Sequence, residues 1–127
     1  YKTGAGVVWT ANYWNKTGKN TCSDYMPPGA DPYKYPWVSS HFRTFPLSTY
    51  KSIPRENFFD ETGNWFKRTY DQALMLPIIY KTHVNNGWTL FIPKVCYYYT
   101  GVLKSDEEGT EYQAKLERYI RQRGFVS

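Results

Sequence analysis

Histidine and cysteine are both scarce in this chain, with two of each in 127 residues. The histidines, His41 and His83, are too few for a His-rich metal site. Cys22 and Cys96 lie far apart and form no CxxC pair, so zinc ligation is disfavoured. One disulfide could join them, but two free thiols in a reducing compartment is the simpler expectation. Neither cysteine has a histidine near it in sequence, which removes the local signature of a thiol nucleophile. Phosphate-cradling GxGxxG and P-loop patterns are missing, and so is a GxSxG nucleophile elbow. Long apolar runs are missing too. The longest, "ALMLPIIY", is far short of a bilayer span, and the start carries no signal-peptide pattern. The expectation is a cytoplasmic protein without a membrane span. "NKT" at Asn15 is formally a glycosylation sequon, relevant only in a secreted chain.

Aromatic residues are abundant instead. They make up 20% of the chain, with 13 Tyr and 5 Trp. Such rings bury large areas, seek partners for their polar ends, and stack well on sugars or bases. Net charge is +5, compatible with a phosphate, nucleotide or nucleic-acid partner. The cations are spread along the chain apart from "ERYIRQRGF", so no duplex-binding arm is indicated. The length suits one domain, residues 1–127, with a modest core.

Along the chain, "GVVWTANYW" (6–14) alternates like a strand, and "NKTGKN" reads as a turn. The stretch 22–37 holds four prolines and one glycine, which predicts an irregular loop carrying Tyr25, Tyr33, Tyr35 and Trp37. "VSSHFRTF" follows as a short extended segment, then a short helix over "PLSTYKSI" that Pro54 ends. Helical spacing of Phe66, Tyr70, Ala73, Leu74, Pro77 and Ile78 predicts a helix over 64–81, N-capped by Asn64 and kinked at Pro77. Residues 89–100 read as a strand pair or bent strand broken by Pro93. The tail reads as a second helix. Thr110 to Gln113 would form a capping box, Tyr112, Leu116, Tyr119 and Ile120 the apolar stripe, and Gly124 the C-cap. Glu111–Lys115 and Glu117–Arg121 are favourable i,i+4 pairs, and Arg121 and Arg123 suit the negative helix end. The order β, loop, β, α, β, α predicts a mixed α/β unit.

Two groups of residues could carry chemistry. Asp71 shares a helix face with Leu74, Met75 and Ile78. A carboxylate on an otherwise apolar face is a candidate general base, or else a partner for loop and first-turn N–H groups. Ser39, His41 and Arg43 would share one strand face, either as an anion site or as an ordinary solvated edge. Asp60 and Glu61 in "FFDETG" could meet a cation but read more simply as turn residues in water.

Several segments together resemble the C-terminal half of family-2 glycosyltransferases with the GT-A fold. "PWVSSHFRTF", "GNWFKRTYDQALMLPIIY", "LFIPKVCYYYT" and "YQAKLERYIRQRGF" follow the family in order and spacing. In that family H-x-R-T-F precedes G-x-x-F-K-x-x-x-D-x-A-x-M-x-P, then a strand ending in Y-x-Y, then a helix ending in I-R. "VVWTANY" is similar to the strand that opens that half. The resemblance implies an inverting transfer of sugar from a nucleotide-sugar donor to an acceptor hydroxyl. It implies Asp71 as general base, and Ser39, His41 and Arg43 at the donor diphosphate or the acceptor. Tyr33, Tyr35 and Trp37 would lie on an acceptor loop. The implied fold is the mixed-sheet C-terminal portion of a nucleotide-diphospho-sugar transferase, lacking the N-terminal nucleotide-binding half.

The sequence departs from the family in two places. The D-x-D motif that holds a divalent magnesium or manganese ion on the donor diphosphate is not in this sequence. The Asn and Asp residues that normally follow Y-x-Y are only partly echoed in "YYYTGVLKSDEEG". The chain, beginning at Tyr1, is therefore expected to be a half domain, inactive alone, that self-associates or is complemented by an N-terminal segment. A non-catalytic carbohydrate- or partner-binding module of transferase-like shape is the alternative, and a single-strand nucleic-acid binder a weaker third.

Overall fold

The computed structural model describes residues 4–100 and 107–127, with 107–110 described by backbone alone. Strand β1 (Val7–Trp14) lies at the centre of a three-stranded mixed sheet. The short β2 (Arg43–Thr44) pairs antiparallel to it on one side, and β3 (Thr89–Tyr99) pairs parallel on the other. A parallel pair needs a long crossover. Here the crossover holds α1 (Leu47–Lys51), a 3₁₀ turn (Arg55–Phe58) and α2 (Tyr70–Val84). Helix α3 (Glu107–Arg123) closes the order. The expected mixed α/β class is what the chain forms.

Helix α2 is buried on nearly every side rather than along one stripe. Met75, Ile78 and Ile79 pack with Val7, Trp9, Ala11 and Phe91 of the sheet. Ala73 and Leu76 pack instead with Phe66, Leu116 and Ile120 under α3. A helix apolar all round is one that sits between two layers. Tyr70, expected in the stripe, is 67% exposed.

The helix also starts later than its spacing suggests. Phe59 bridges to Trp65, and the Phe66 N–H donates to the Phe58 carbonyl, so residues 64–66 are held as a returning extended segment. Asn64 donates to Thr62 Oγ1 at 2.9 Å within that turn and caps nothing; Thr69, at φ 59°, precedes the helix instead. Pro77 does not end the helix, which runs on to Val84. Its missing N–H falls where the surroundings are apolar and packed.

Residues 89–99 form one strand, not two. Its register against β1 slips between Ile92 and Val95, where Pro93 sits, and again between Val95 and Tyr97. These are bulges, the form in which a ladder tolerates proline. Beyond Phe91 the strand is exposed, with Tyr98 74% accessible, and among the described residues its outer edge has no strand partner.

Helix α3 begins at Glu107, so Thr110 lies inside it and the expected capping box does not form the start. Leu116 and Ile120 are buried, as the stripe predicts, and Gly124 at φ 69° donates to the Ile120 carbonyl. Glu117 and Arg121 approach to 3.8 Å, while Lys115 reaches Glu61 at 3.5 Å. The residues that follow Y-x-Y, 101–106, lie outside the described residues.

Arg121 and Arg123 do more than face the helix end. Arg121 Nη1 donates to the carbonyls of Pro32, Tyr33 and Tyr35, the last at 2.7 Å. Arg123 donates to the carbonyls of Glu56, Asn57 and Phe59, and its guanidinium lies over the rings of Phe66 and Tyr119. Each arginine thus anchors an irregular segment that has no ladder of its own.

Candidate functional site

A cavity of about 420 Å³ opens where the C-terminal half of the sheet meets the starts of α2 and the middle of α3. That volume is in the range of small-ligand sites. Three of the residues singled out by sequence line it: Asp71, His41 and Trp37.

Asp71 is the second residue of α2 and is half-buried; its Oδ1 accepts the Gln72 N–H at 2.9 Å. A carboxylate in a first helical turn lies where the helix dipole favours an acidic side chain. His41 is stacked against Tyr97, with centroids 4.6 Å apart, and lies nearly parallel to Tyr99 at 5.8 Å. Burial and the neighbouring Arg43 push its pKa down, against the opposing pull of Asp71. The imidazole is therefore neutral at neutral pH. Trp37 packs against both cores while it presents surface to the cavity.

The other expected residues are elsewhere. Ser39 is fully buried in an isolated bridge with Ser23, and its neighbour Ser40 lines the cavity instead. Residues 41 and 42 form a bend, so the strict alternation that would put Ser39, His41 and Arg43 on one face is broken. Arg43 turns its Nη1 back to the Ser39 and Ser40 carbonyls, at 3.4 and 3.2 Å. Burial works against its charge, and Asp71 and Tyr97 offset part of that penalty. It supports the segment from behind and is not in the cavity wall. Tyr33 is buried in the core under α3, where burial pushes its phenol pKa up. Tyr35 packs against the sheet-side core, and its hydroxyl reaches the Tyr25 carbonyl. Of the three loop aromatics, only Trp37 reaches the cavity.

The wall includes residues that sequence reading did not single out: Asn12, Trp14, Cys22, Gln72, Tyr99, Gln113 and Glu117. Two had a signal. Gln72 is a polar residue in a stretch of α2 otherwise buried and apolar. Gln113 and Glu117 are four apart, and so share one face of α3. Asn12 is buried and committed. Its Nδ2 donates to the Thr21 carbonyl and Ser23 Oγ, and its Oδ1 accepts the Thr21 N–H. This fastens the 15–24 loop under the cavity and places Cys22 in its wall. Burial, then Glu117, then Asp71 push the Cys22 thiol up, so it stays protonated.

Among the described residues, no group of three or more His, Cys, Asp or Glu side chains is placed to hold a metal ion. These residues do not themselves supply the divalent site that the family resemblance implies. Asp60, the other acidic candidate, accepts from the Thr62 and Asn64 N–H groups and the Thr62 hydroxyl, which accounts for its lowered pKa and makes it a turn residue. Among the described residues no helix is long and apolar enough to cross a membrane. No family model, curated protein or solved structure matches this chain.

Proposed function

We propose that this chain is the acceptor-side half of a GT-A-like glycosyltransferase, with Asp71 as general base. The observation that carries the reading is convergence: Asp71 from α2, His41 from the β2 approach and Trp37 from the proline-rich loop meet at one open cavity. A hydroxyl held there loses its proton to Asp71 as its oxygen attacks the anomeric carbon of the donor. His41, neutral and stacked against Tyr97, orients the acceptor. Arg43 holds the His41 segment through its carbonyl contacts. The donor nucleotide and the divalent ion belong to a half bearing the D-x-D motif, supplied by further polypeptide. The tyrosine-rich outer edge of β3, without a strand partner among the described residues, supports this, since an unpaired edge invites a partner.

The test is sugar transfer by the protein combined with its donor-side half. Asp71→Asn is expected to lower turnover by about 10²–10⁴-fold with little change in donor affinity. Chelation of divalent metal is expected to abolish transfer, and the 127-residue chain alone to be inactive. Unchanged turnover in Asp71→Asn ends the base assignment.

A second reading is a non-catalytic carbohydrate-binding module. It is supported by the cavity's aromatic wall of Trp14, Trp37 and Tyr99. It is distinguished by saturable glycoside binding with no transfer under any donor and metal combination.

A further inference from the structure

Much of the polar wall of the cavity is already spent on the fold. Asn12 is bonded to Thr21 and Ser23. Gln72 Oε1 and Trp14 Nε1 are shielded from solvent and lie out of reach of anything seated in the cavity. Asp71 Oδ1 accepts the Gln72 N–H. Helix α3 is the exception. It lends Gln113 and Glu117, one turn apart on one face. Both side chains are accessible, that of Glu117 being 37% exposed.

Glu117 is accessible without being loose. Arg121 Nε stands 3.8 Å from its Oε1, close enough for an ion pair but too long for a hydrogen bond. Both carboxylate oxygens therefore keep their capacity to accept, and among the described residues no donor uses it. Arg121 is itself immobilised, because its Nη1 donates to the carbonyls of Pro32, Tyr33 and Tyr35. An exposed pair of two flexible side chains contributes little. Here one partner is pinned, and its charge holds the carboxylate in the cavity wall before any ligand arrives. Such preorganisation lowers the cost of binding.

The chemistry of this face narrows the ligand. A carboxylate with both oxygens open accepts from two neighbouring hydroxyls at once, and charge-assisted bonds are the strong ones. Gln113 adds an amide that both gives and accepts. Trp37 and Tyr99 place aromatic rings in the same wall, and their flat apolar faces match the C–H face of a sugar.

We propose that Gln113 and Glu117 form the specificity face of the cavity, with Glu117 accepting from a vicinal diol on the acceptor sugar. This rests on reading the cavity as the acceptor site. It adds the substrate class, a pyranoside with two adjacent unsubstituted hydroxyls besides the one that attacks the donor. It also gives α3 a role in binding rather than in chemistry.

The test follows the backbone amide resonances of Gln113 and Glu117 in the isotopically labelled 127-residue chain. The probes are the methyl glycosides of glucose, galactose, mannose and N-acetylglucosamine, and the singly deoxygenated analogues of whichever binds most tightly. At least one glycoside is expected to shift both amides saturably. Glu117→Gln keeps the shape of the side chain and removes its charge, and is expected to weaken binding about tenfold. Glu117→Ala removes the acceptor altogether and is expected to weaken it at least as much. The decisive readout couples protein to ligand. Against the wild type, deleting one hydroxyl of the diol is expected to cost about tenfold, and against Glu117→Ala about twofold or less. A glutamate serving only the helix would leave the cost of that deletion the same in both proteins. Failure of every glycoside to move the two amides, equal deletion costs in the two proteins, or wild-type affinity in both Glu117 variants overturns the proposal.

The two readings can fail separately. Glu117-dependent glycoside binding, with transfer unaffected by Asp71→Asn, removes the base assignment and leaves this inference standing. Asp71-dependent transfer, with an acceptor KM unchanged in Glu117→Gln and Glu117→Ala, does the reverse.

Discussion

A single imidazole links the site to the stability of the whole chain. His41 has its pKa lowered below the ordinary 6.5 by burial and by Arg43. The unfolded chain therefore takes up this proton at a higher pH than the folded one does. Between the two values the unfolded state holds more protons, so stability rises with pH in that window and is lost as pH falls through it. Denaturation midpoints at about pH 7.5 and about pH 5.5 are expected to differ in that sense, and His41→Phe to reduce the difference. The phenylalanine keeps a ring for Tyr97 and Tyr99 to stack on but cannot take a proton. An identical pH response in the variant would mean that other groups carry it. Asn57 is a second residue with leverage, fully buried and bonded to the Pro54 carbonyl and to both the N–H and the carbonyl of Val126. Asn57→Ala leaves those groups without partners in a dry site. It is expected to cost about 2 kcal/mol by chemical denaturation.

Among the elements, what the sequence made legible was whatever depends on periodicity. The alternation of Val7, Trp9 and Ala11 marked β1, and the spacing of Leu116 and Ile120 marked the buried face of α3. Boundaries set by contacts distant in sequence were not legible. The start of α2 is delayed by the Phe59–Trp65 bridge, and no local propensity near Asn64 reports that pairing. The same holds for the candidate site. Asp71 and His41 stood out by residue type and by family resemblance. Ser39 and Arg43 were misjudged because strict alternation was carried through a bend. Trp14 and Glu117 come from elements far apart in the chain, and only the fold brings them together. The proline-rich loop is a further case. Its sequence predicts irregularity, but its shape depends on Arg121 across about 90 residues. Arg121→Ala is expected to cost about 2 kcal/mol, since charged hydrogen bonds to three carbonyls are lost. It should also speed amide exchange across residues 25–37. Arg121→Lys is expected to recover only part, because an ammonium lacks the guanidinium fork. Wild-type exchange rates in the alanine variant would mean that the loop holds its shape unaided. Gly87 shows the same dependence on packing at a turn. A Cβ there would stand 2.9 Å from both the Thr82 carbonyl oxygen and Thr82 Cγ2. The backbone atom cannot give way cheaply, so Gly87→Ala is expected to destabilise by about 1–3 kcal/mol.

At the scale of the molecule, two apolar clusters lie on opposite sides of α2 and share more than that helix. Trp37 and Phe125 pack against both. Neither cluster can loosen without disturbing a helix whose residues Met75 through Ile79 are all buried. This predicts one cooperative transition rather than two. Ile78, fully buried on the sheet side, and Leu76, 1% exposed on the α3 side, offer a direct comparison. Ile78→Ala and Leu76→Ala are each expected to cost about 3 kcal/mol, through lost burial and the cavity left behind. The informative readout is the coincidence of probes. Far-ultraviolet circular dichroism follows the helices, and tryptophan fluorescence follows the sheet-side core through the fully buried Trp9. In both variants the two signals are expected to move together to the same lower midpoint. If Leu76→Ala shifts the helical signal and leaves the fluorescence transition in place, the α3 layer melts as a unit of its own. Glu117 and Gln113 would then leave the cavity wall before the sheet unfolds, and the site would be assembled only when both layers are docked.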